Sequence, residues 1–357
     1  MSRYKLFRAA LILCAGAAAL GVYPASAGKF DAEYVFGDSL SDRGNLAELE
    51  WALHGYPNFP YPPSNHSSFT NGPVAVQLLA QSFGASANPS LWVTGFKDPA
   101  NFFGGPSFVP GTNYAVAGAT AALAATGGPT GINLPEQVGA YEGFAGAADP
   151  AALYVIMIGG NDVRNAALQG TGDAAVDAGV AAELAAIKSL STDGAKNFLV
   201  VNVPNVGIIP EFAQQNPTLA GTATTLSQYY DTELAEGLQT LDPTLAAGTL
   251  VSEFNLYAFN TNLLANAAAY GFTNTTDPCF NDTPYAATSS TGCSLANISN
   301  FIYWDDIHPT GNVQALWAEG FEAAVPEPAT WAMMVLGFAA LGILSYRSSL
   351  KAAAISA

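Results

Sequence analysis

Three histidines and eleven lysines and arginines are the whole cationic complement of a 357-residue chain that carries 28 aspartates and glutamates. Five of the basic residues (Arg3, Lys5, Arg8, Arg347 and Lys351) sit near the two ends. Residues 28–327 therefore hold six cations against all 28 acids, a formal charge of 6 − 28 = −22. Such a surface repels phosphate backbones, which argues against nucleic acid as a partner. With so few imidazoles and no HExxH-type pair, neither a zinc site nor any cofactor is expected. Cysteine is almost absent. One of the three, Cys14, lies in an apolar run behind Leu13, where a lipoprotein cleavage site needs a small residue, so lipidation is not expected. Internal repeats are lacking.

What is present begins with two end signals. Arg3, Lys5 and Arg8 precede an apolar run from Ala9 to Val22, and then Ala25-Ser26-Ala27, which reads as a secretory signal peptide over residues 1–27. Signal peptidase is thus an expected partner, and the mature chain begins near Gly28. At the other end Val325-Pro326-Glu327-Pro328 leads into apolar residues from Ala329 to Leu344, closed by Tyr346 and Arg347. That length is at the lower limit for crossing a bilayer, so a membrane anchor and a core helix are both readings of it. The Pro-Glu-Pro box, single apolar helix and basic stop over 325–347 resemble the PEP-CTERM sorting tail. The resemblance implies processing by an exosortase, membrane contact beforehand, and a secreted or cell-surface location in a Gram-negative bacterium, where exopolysaccharide association is common. The last residues, 348–357, form a longer and less basic ending than such tails usually have.

Cys279 and Cys293 remain in a chain bound for an oxidising compartment, and they are expected to pair. Between the end signals, one domain over 28–324 is expected. Short apolar runs at Tyr34 to Phe36, Thr112 to Val116, Leu153 to Ile158, Phe198 to Val203 and Thr249 to Phe254 read as about five strands of a parallel sheet. Helical stretches at Pro73 to Ser82, Ala174 to Leu190 and Thr222 to Leu241 intervene. This alternation predicts a doubly wound, flavodoxin-like α/β/α sandwich with its chemistry at the carboxyl ends of the strands. Gly55 to Asn71 and Asn101 to Gly111 have loop composition.

Ser39 follows the first strand in Phe36-Gly37-Asp38-Ser39-Leu40, a position that can expose a hydroxyl at the sheet's rim. A serine nucleophile needs a base. His54 and His66 stand among loop residues, whereas His308 stands in Trp304-Asp305-Asp306-Ile307-His308-Pro309. A carboxylate three residues before an imidazole can hold its Nδ1 proton and free Nε2 to accept from serine, with Asp306 the competing carboxylate. Gly159-Gly160-Asn161-Asp162 after one strand, and Gly111-Thr112-Asn113-Tyr114-Ala115-Val116-Ala117-Gly118-Ala119 along another, offer donors for an oxyanion.

Taken in this order, Gly-Asp-Ser-Leu, Gly-Thr-Asn-Tyr-Ala, Gly-Gly-Asn-Asp and Asp-x-x-His resemble the GDSL lipase/esterase family, the SGNH hydrolases, over residues 34 to about 323. Ser-Phe-Thr-Asn-Gly-Pro-Val at 68–74 is similar to a further element of that family, with Ser68 where arginine is common. The resemblance implies an exported serine esterase or lipase with Ser39, His308 and Asp305 as catalytic residues and an oxyanion hole of Ser39, Gly118 and Asn161. Many relatives have Gly-Gly at Ala117-Gly118, so the choice between those two stays open. Carboxylic esters of lipids, sugars or small alcohols are the implied substrates. A polysaccharide O-acetyl esterase acting on exopolymer and a non-catalytic matrix protein on the same fold are the alternatives. Aromatics and prolines from Trp51 to Pro63 are compatible with an apolar groove or a covering loop.

Overall fold

The computed structural model describes residues 30–55, 67–94, 111–122, 131–281, 288–289, 292–294 and 296–325. The expected signal peptide, the sorting segment beyond Val325, His66 and most of the two long loops lie outside the described residues.

Four parallel strands form the central sheet: β1 (Glu33–Gly37), β2 (Leu153–Met157), β3 (Asn197–Val201) and β4 (Leu250–Phe254), side by side in that order. β2 is buried along its whole length, as its Leu-Tyr-Val-Ile-Met run requires, while the edge strand β4 exposes Leu250. The fifth expected strand is only partly realised. Thr112 to Val116 runs parallel along the free edge of β1, with Val35 N–H donating to Thr112 O and the Tyr114 and Val116 N–H groups donating to Val35 O and Gly37 O. Among the described residues its outer edge meets no further strand, only an isolated parallel bridge to Pro89. Asn45 Nδ2 donates to the Asn113 and Ala115 carbonyls, and residues 88–90 take the remaining main-chain groups of Asn113. Spatially the order is 112–116, β1, β2, β3, β4, the 2-1-3-4-5 arrangement of a flavodoxin-like sheet, whose crevice opens between β1 and β2.

The helices are α1 (Asn45–His54), α2 (Ala75–Ser82), α3 (Leu134–Ala145), α4 (Gly160–Gln169), α5 (Asp173–Asp193), α6 (Ala220–Leu241), α7 (Leu256–Ala265) and α8 (Gly311–Ala324). The three expected helices are found within a few residues of their expected ends. α2 packs on α8, and α3, α4, α5 and α6 pack together, which makes the sheet the middle layer. Tyr141 of α3 stands edge-on to Tyr34, Phe36, Tyr114 and Tyr154, and its hydroxyl meets that of Tyr154 at 3.0 Å. α8 lies so close to β4 that a side chain at Gly320 would strike the Phe254 ring.

Beyond the sheet, β5 (Asn274–Pro278) pairs in parallel with β6 (Phe301–Tyr303). Cys279 and Cys293 are joined by a disulfide, and with Phe280, Ile298, Phe301 and Trp304 they form a small core separate from the main one. Among the described residues no helix is long and apolar enough to cross a membrane.

Candidate active site

The turn after β1 is shaped by what cannot fit there. A Cβ on Gly37 would lie 2.3 Å from Ser41 Oγ and 2.4 Å from Met157 O, so only glycine allows β1 to end this close to β2. Gln137, brought in by α3, brackets this peptide: its Oε1 accepts from Gly37 N–H at 2.8 Å and its Nε2 donates to Gly37 O at 2.7 Å. The chain then coils once, with Asp42 N–H on Asp38 O at 2.8 Å and Leu40 N–H on Asp38 Oδ1 at 3.0 Å. Asp42 accepts from the N–H groups of Gly44, Asn45 and Leu46, capping α1, and from Ala117 N–H at 2.8 Å. One buried carboxylate thus ties the Ser39 turn to the segment at 117–119.

At the carboxyl end of β6 the chain makes a second tight turn. The main chain at Ile307 and His308 donates to Asp305 Oδ1 at 2.8 and 2.6 Å, which fixes the carboxylate under the imidazole. His308 Nδ1 is 2.7 Å from Asp305 Oδ2, and His308 Nε2 is 2.8 Å from Ser39 Oγ. Residues 269 apart in sequence thus meet at hydrogen-bond distance, with His308 and Asp305 both buried. Phe69 packs on the imidazole, ring centres 5.1 Å apart. Asp306, the competing carboxylate, is not the His308 Nδ1 partner; its carbonyl accepts from Glu211 N–H, and Glu211 in turn pairs with Arg164 of α4. His54 of α1 is exposed and bonds Glu50, away from this cluster.

Gly159 and Gly160 turn β2 into α4. Gly159 has φ 101° and lies against the Tyr230 ring, leaving no room for a side chain. Asn161 Nδ2 then donates to Ala119 O at 2.9 Å, and Asp162 accepts from the N–H groups of Ala121 and Ala122 at 2.7 and 3.2 Å. Between these ties Gly118 sits at φ 85°. Among the described residues, neither the Ser39 nor the Gly118 N–H has a hydrogen-bond partner, whereas that of Ala117 is occupied by Asp42.

Burial dominates the electrostatics. It pushes Asp38 and Asp42 up to about 6 and Asp162 up to about 7, with main-chain N–H donors opposing the shift in each case. Behind Asp162, Glu183 is pushed up to about 8 by burial; its one hydrogen-bond partner is the Tyr230 hydroxyl at 2.8 Å. Gln137, Asp42 and Glu183 carry no motif signal; Gln137, Glu183 and the Asp42 bond to Ala117 act across dozens of residues.

Ser39 also borders a mostly apolar cavity of about 70 Å³, walled by α7, α8, β6 and the turn at 204–209.

The family model described as GDSL-like lipase/acylhydrolase matches residues 34–321, and the PEP-CTERM protein-sorting motif matches 324–348. A GDSL lipase of Tanacetum cinerariifolium is 26% identical over 314 residues, covering 81% of this chain and 82% of the relative. Acetylajmalan esterase 2 of Rauvolfia serpentina is 25% identical over 327 residues, covering 79% and 86%. A solved acetylxylan esterase of Geobacillus stearothermophilus aligns over 83% of this chain and 94% of its own, at 14% identity and a TM-score of 0.38. By the family match over most of its length, this chain belongs to the GDSL-like lipase/acylhydrolase family and is a carboxylic ester hydrolase.

Proposed function

We propose that the enzyme is an exported serine esterase in which Ser39 is the nucleophile, His308 the general base and Asp305 the residue that orients it. The observation that carries this reading is the unbroken relay from Ser39 Oγ through His308 Nε2 and Nδ1 to Asp305 Oδ2, at 2.8 and 2.7 Å. His308 takes the Ser39 proton as Oγ attacks the ester carbonyl, and Asp305 stabilises the imidazolium that results. The tetrahedral oxyanion is received by the N–H groups of Ser39 and Gly118 and by Asn161 Nδ2. Gly118 is assigned over Ala117 because the Ala117 N–H is already committed to Asp42. Each such donor is worth about 3 kcal/mol in the transition state. Collapse expels the alcohol with the proton from His308, and water, activated by the same imidazole, then cleaves the acyl-enzyme.

Export rests on the signal peptide read at 1–27 and on the PEP-CTERM match at 324–348. We assign removal of the first to signal peptidase, processing of the second to an exosortase, and the mature enzyme to the cell surface or surroundings of a Gram-negative bacterium.

A panel of nitrophenyl esters tests the chemistry. Wild type is expected to hydrolyse at least one of them, with kcat/KM falling in acid as His308 is protonated, and Ser39→Ala to retain only a trace. Substantial residual turnover in Ser39→Ala would reassign the nucleophile.

A further inference from the structure

The cavity beside Ser39 has a composition that selects its occupant. Val313 and Trp317 of α8, one turn apart, form one wall, and Leu263 and Leu264 of α7 face it. Ile302 of β6 and Ile209 contribute further apolar surface. Several of the polar groups that reach the cavity are already matched. Trp317 Nε1 donates to Asn260 Oδ1 at 2.8 Å, and Arg164 is engaged by Glu211. A sugar or other polyol placed here would lose its water and find few free partners, whereas hydrocarbon loses nothing. Hydroxyl-rich groups are thereby disfavoured inside.

The reaction decides which part of the ester this is. Once the carbonyl oxygen is turned to Ser39 N–H, Gly118 N–H and Asn161, the carbonyl carbon still bears an acyl chain and an alkoxy group. The alkoxy group takes its proton from His308 and must depart before water can enter, so it belongs on the His308 side. The acyl chain stays bonded to Ser39 through both steps and can occupy a walled space. A space of about 70 Å³ is small beside the hundreds of Å³ usual for ligand sites, which suits a short chain rather than a long one.

We propose that this cavity is the acyl site, and that the preferred substrates are esters of short-chain fatty acids. The proposal rests on the serine-esterase reading above. Chain selection then resides in α7 and α8, helices that carry none of the groups assigned to the chemistry.

Two substrate series on the full chain test it. In nitrophenyl esters, kcat/KM is expected to climb about fourfold per added methylene from acetate towards hexanoate and then to drop. In butyrate esters of alcohols of increasing length it is expected to change little. Val313→Phe, which fills the cavity from α8, should lower the hexanoate-to-acetate ratio at least about tenfold, and Leu264→Ala should move the optimum to longer acids. The second variant, exchanging a half-buried side chain for a smaller one, keeps the test alive if the first misfolds. A flat acyl series, or a steep dependence on the alcohol instead, would overturn the proposal while leaving the nucleophile in place. Absence of any Ser39-dependent hydrolysis would remove the parent reading, and this one with it.

Discussion

Ser39 rides on the central sheet, whereas Asp305 and His308 hang from a two-stranded sheet whose β6 gives Ile302 and Tyr303 to the main core and Phe301 to a small core around the disulfide. The Ser39 turn is bracketed by Gln137, coiled on Asp38 and tied by Asp42 to the segment at 117–119, all against fully buried β1 and β2 residues. The loop carrying Asp305 and His308 depends on β6, which is supported on one side by β5 and by the N–H bonds that follow it, Cys279 to Tyr303 O and Phe280 to Trp304 O. Six residues and a disulfide make up that satellite core. The contrast teaches that the two halves should fail separately, the first only with the whole fold and the second by local loosening.

The largest effect should come from the Ser39 side. Asp42→Ala strands four main-chain donors at once, each worth about 1–3 kcal/mol when buried without a partner. Urea denaturation is expected to show more than about 3 kcal/mol of lost stability, with activity and sheet structure disappearing together. Retention of a folded, inactive enzyme would contradict the comparison.

Next in size is the clip on the other side. Replacing Cys279 and Cys293 by serine opens a loop with a sequence separation of 14, worth roughly 3 kcal/mol in chain entropy. Because that clip steadies Trp304 and hence Asp305, turnover should fall on warming before the far-ultraviolet dichroism of the main sheet does. Coincident loss of both signals would mean that the satellite core is not a separate unit.

The smallest effect is graded. Asp38, Asp42 and Asp162 keep their protons in the folded chain up to about 6, 6 and 7, while unfolded aspartates release theirs near ~3.9. Their contribution to stability is therefore full below the unfolded value and is lost as pH rises through the folded ones, with a slope of at most ~1.4 kcal/mol per pH unit for each proton. In the proposed mechanism activity needs a neutral His308, so acid favours the fold while base favours the chemistry. Denaturant midpoints across this range should fall with pH in wild type, and Asp162→Asn should flatten the fall. An unchanged slope would place the titrating groups elsewhere.

Much of this was legible in the chain, and for identifiable reasons. Ser39 and His308 stood out because strand ends and scarce imidazoles leave few alternatives, and Asp305 because a three-residue spacing lets a tight turn close on itself. The long helices α5 and α6 follow from their length and Ala/Leu content, and the four sheet strands from short, nearly continuous apolar runs. Thr112 to Val116 was read as an ordinary strand because alternation cannot reveal that Asn45 and residues 88–90 occupy its outer edge. Gln137 was invisible because its task is set by Gly37, 100 positions away. The choice between Ala117 and Gly118 needed Asp42, and the cavity needed α7 and α8 brought together, neither of which a linear pattern encodes.

A missing methyl group at position 37 has reach well beyond its own turn. It lets two neighbouring strands finish almost in contact, so that, in the proposed mechanism, a hydroxyl from one and an amide from the next address the same carbonyl. In an engineered library every substitution there should act as a wedge, spreading the catalytic floor and separating groups that no repacking of the surface could draw together again.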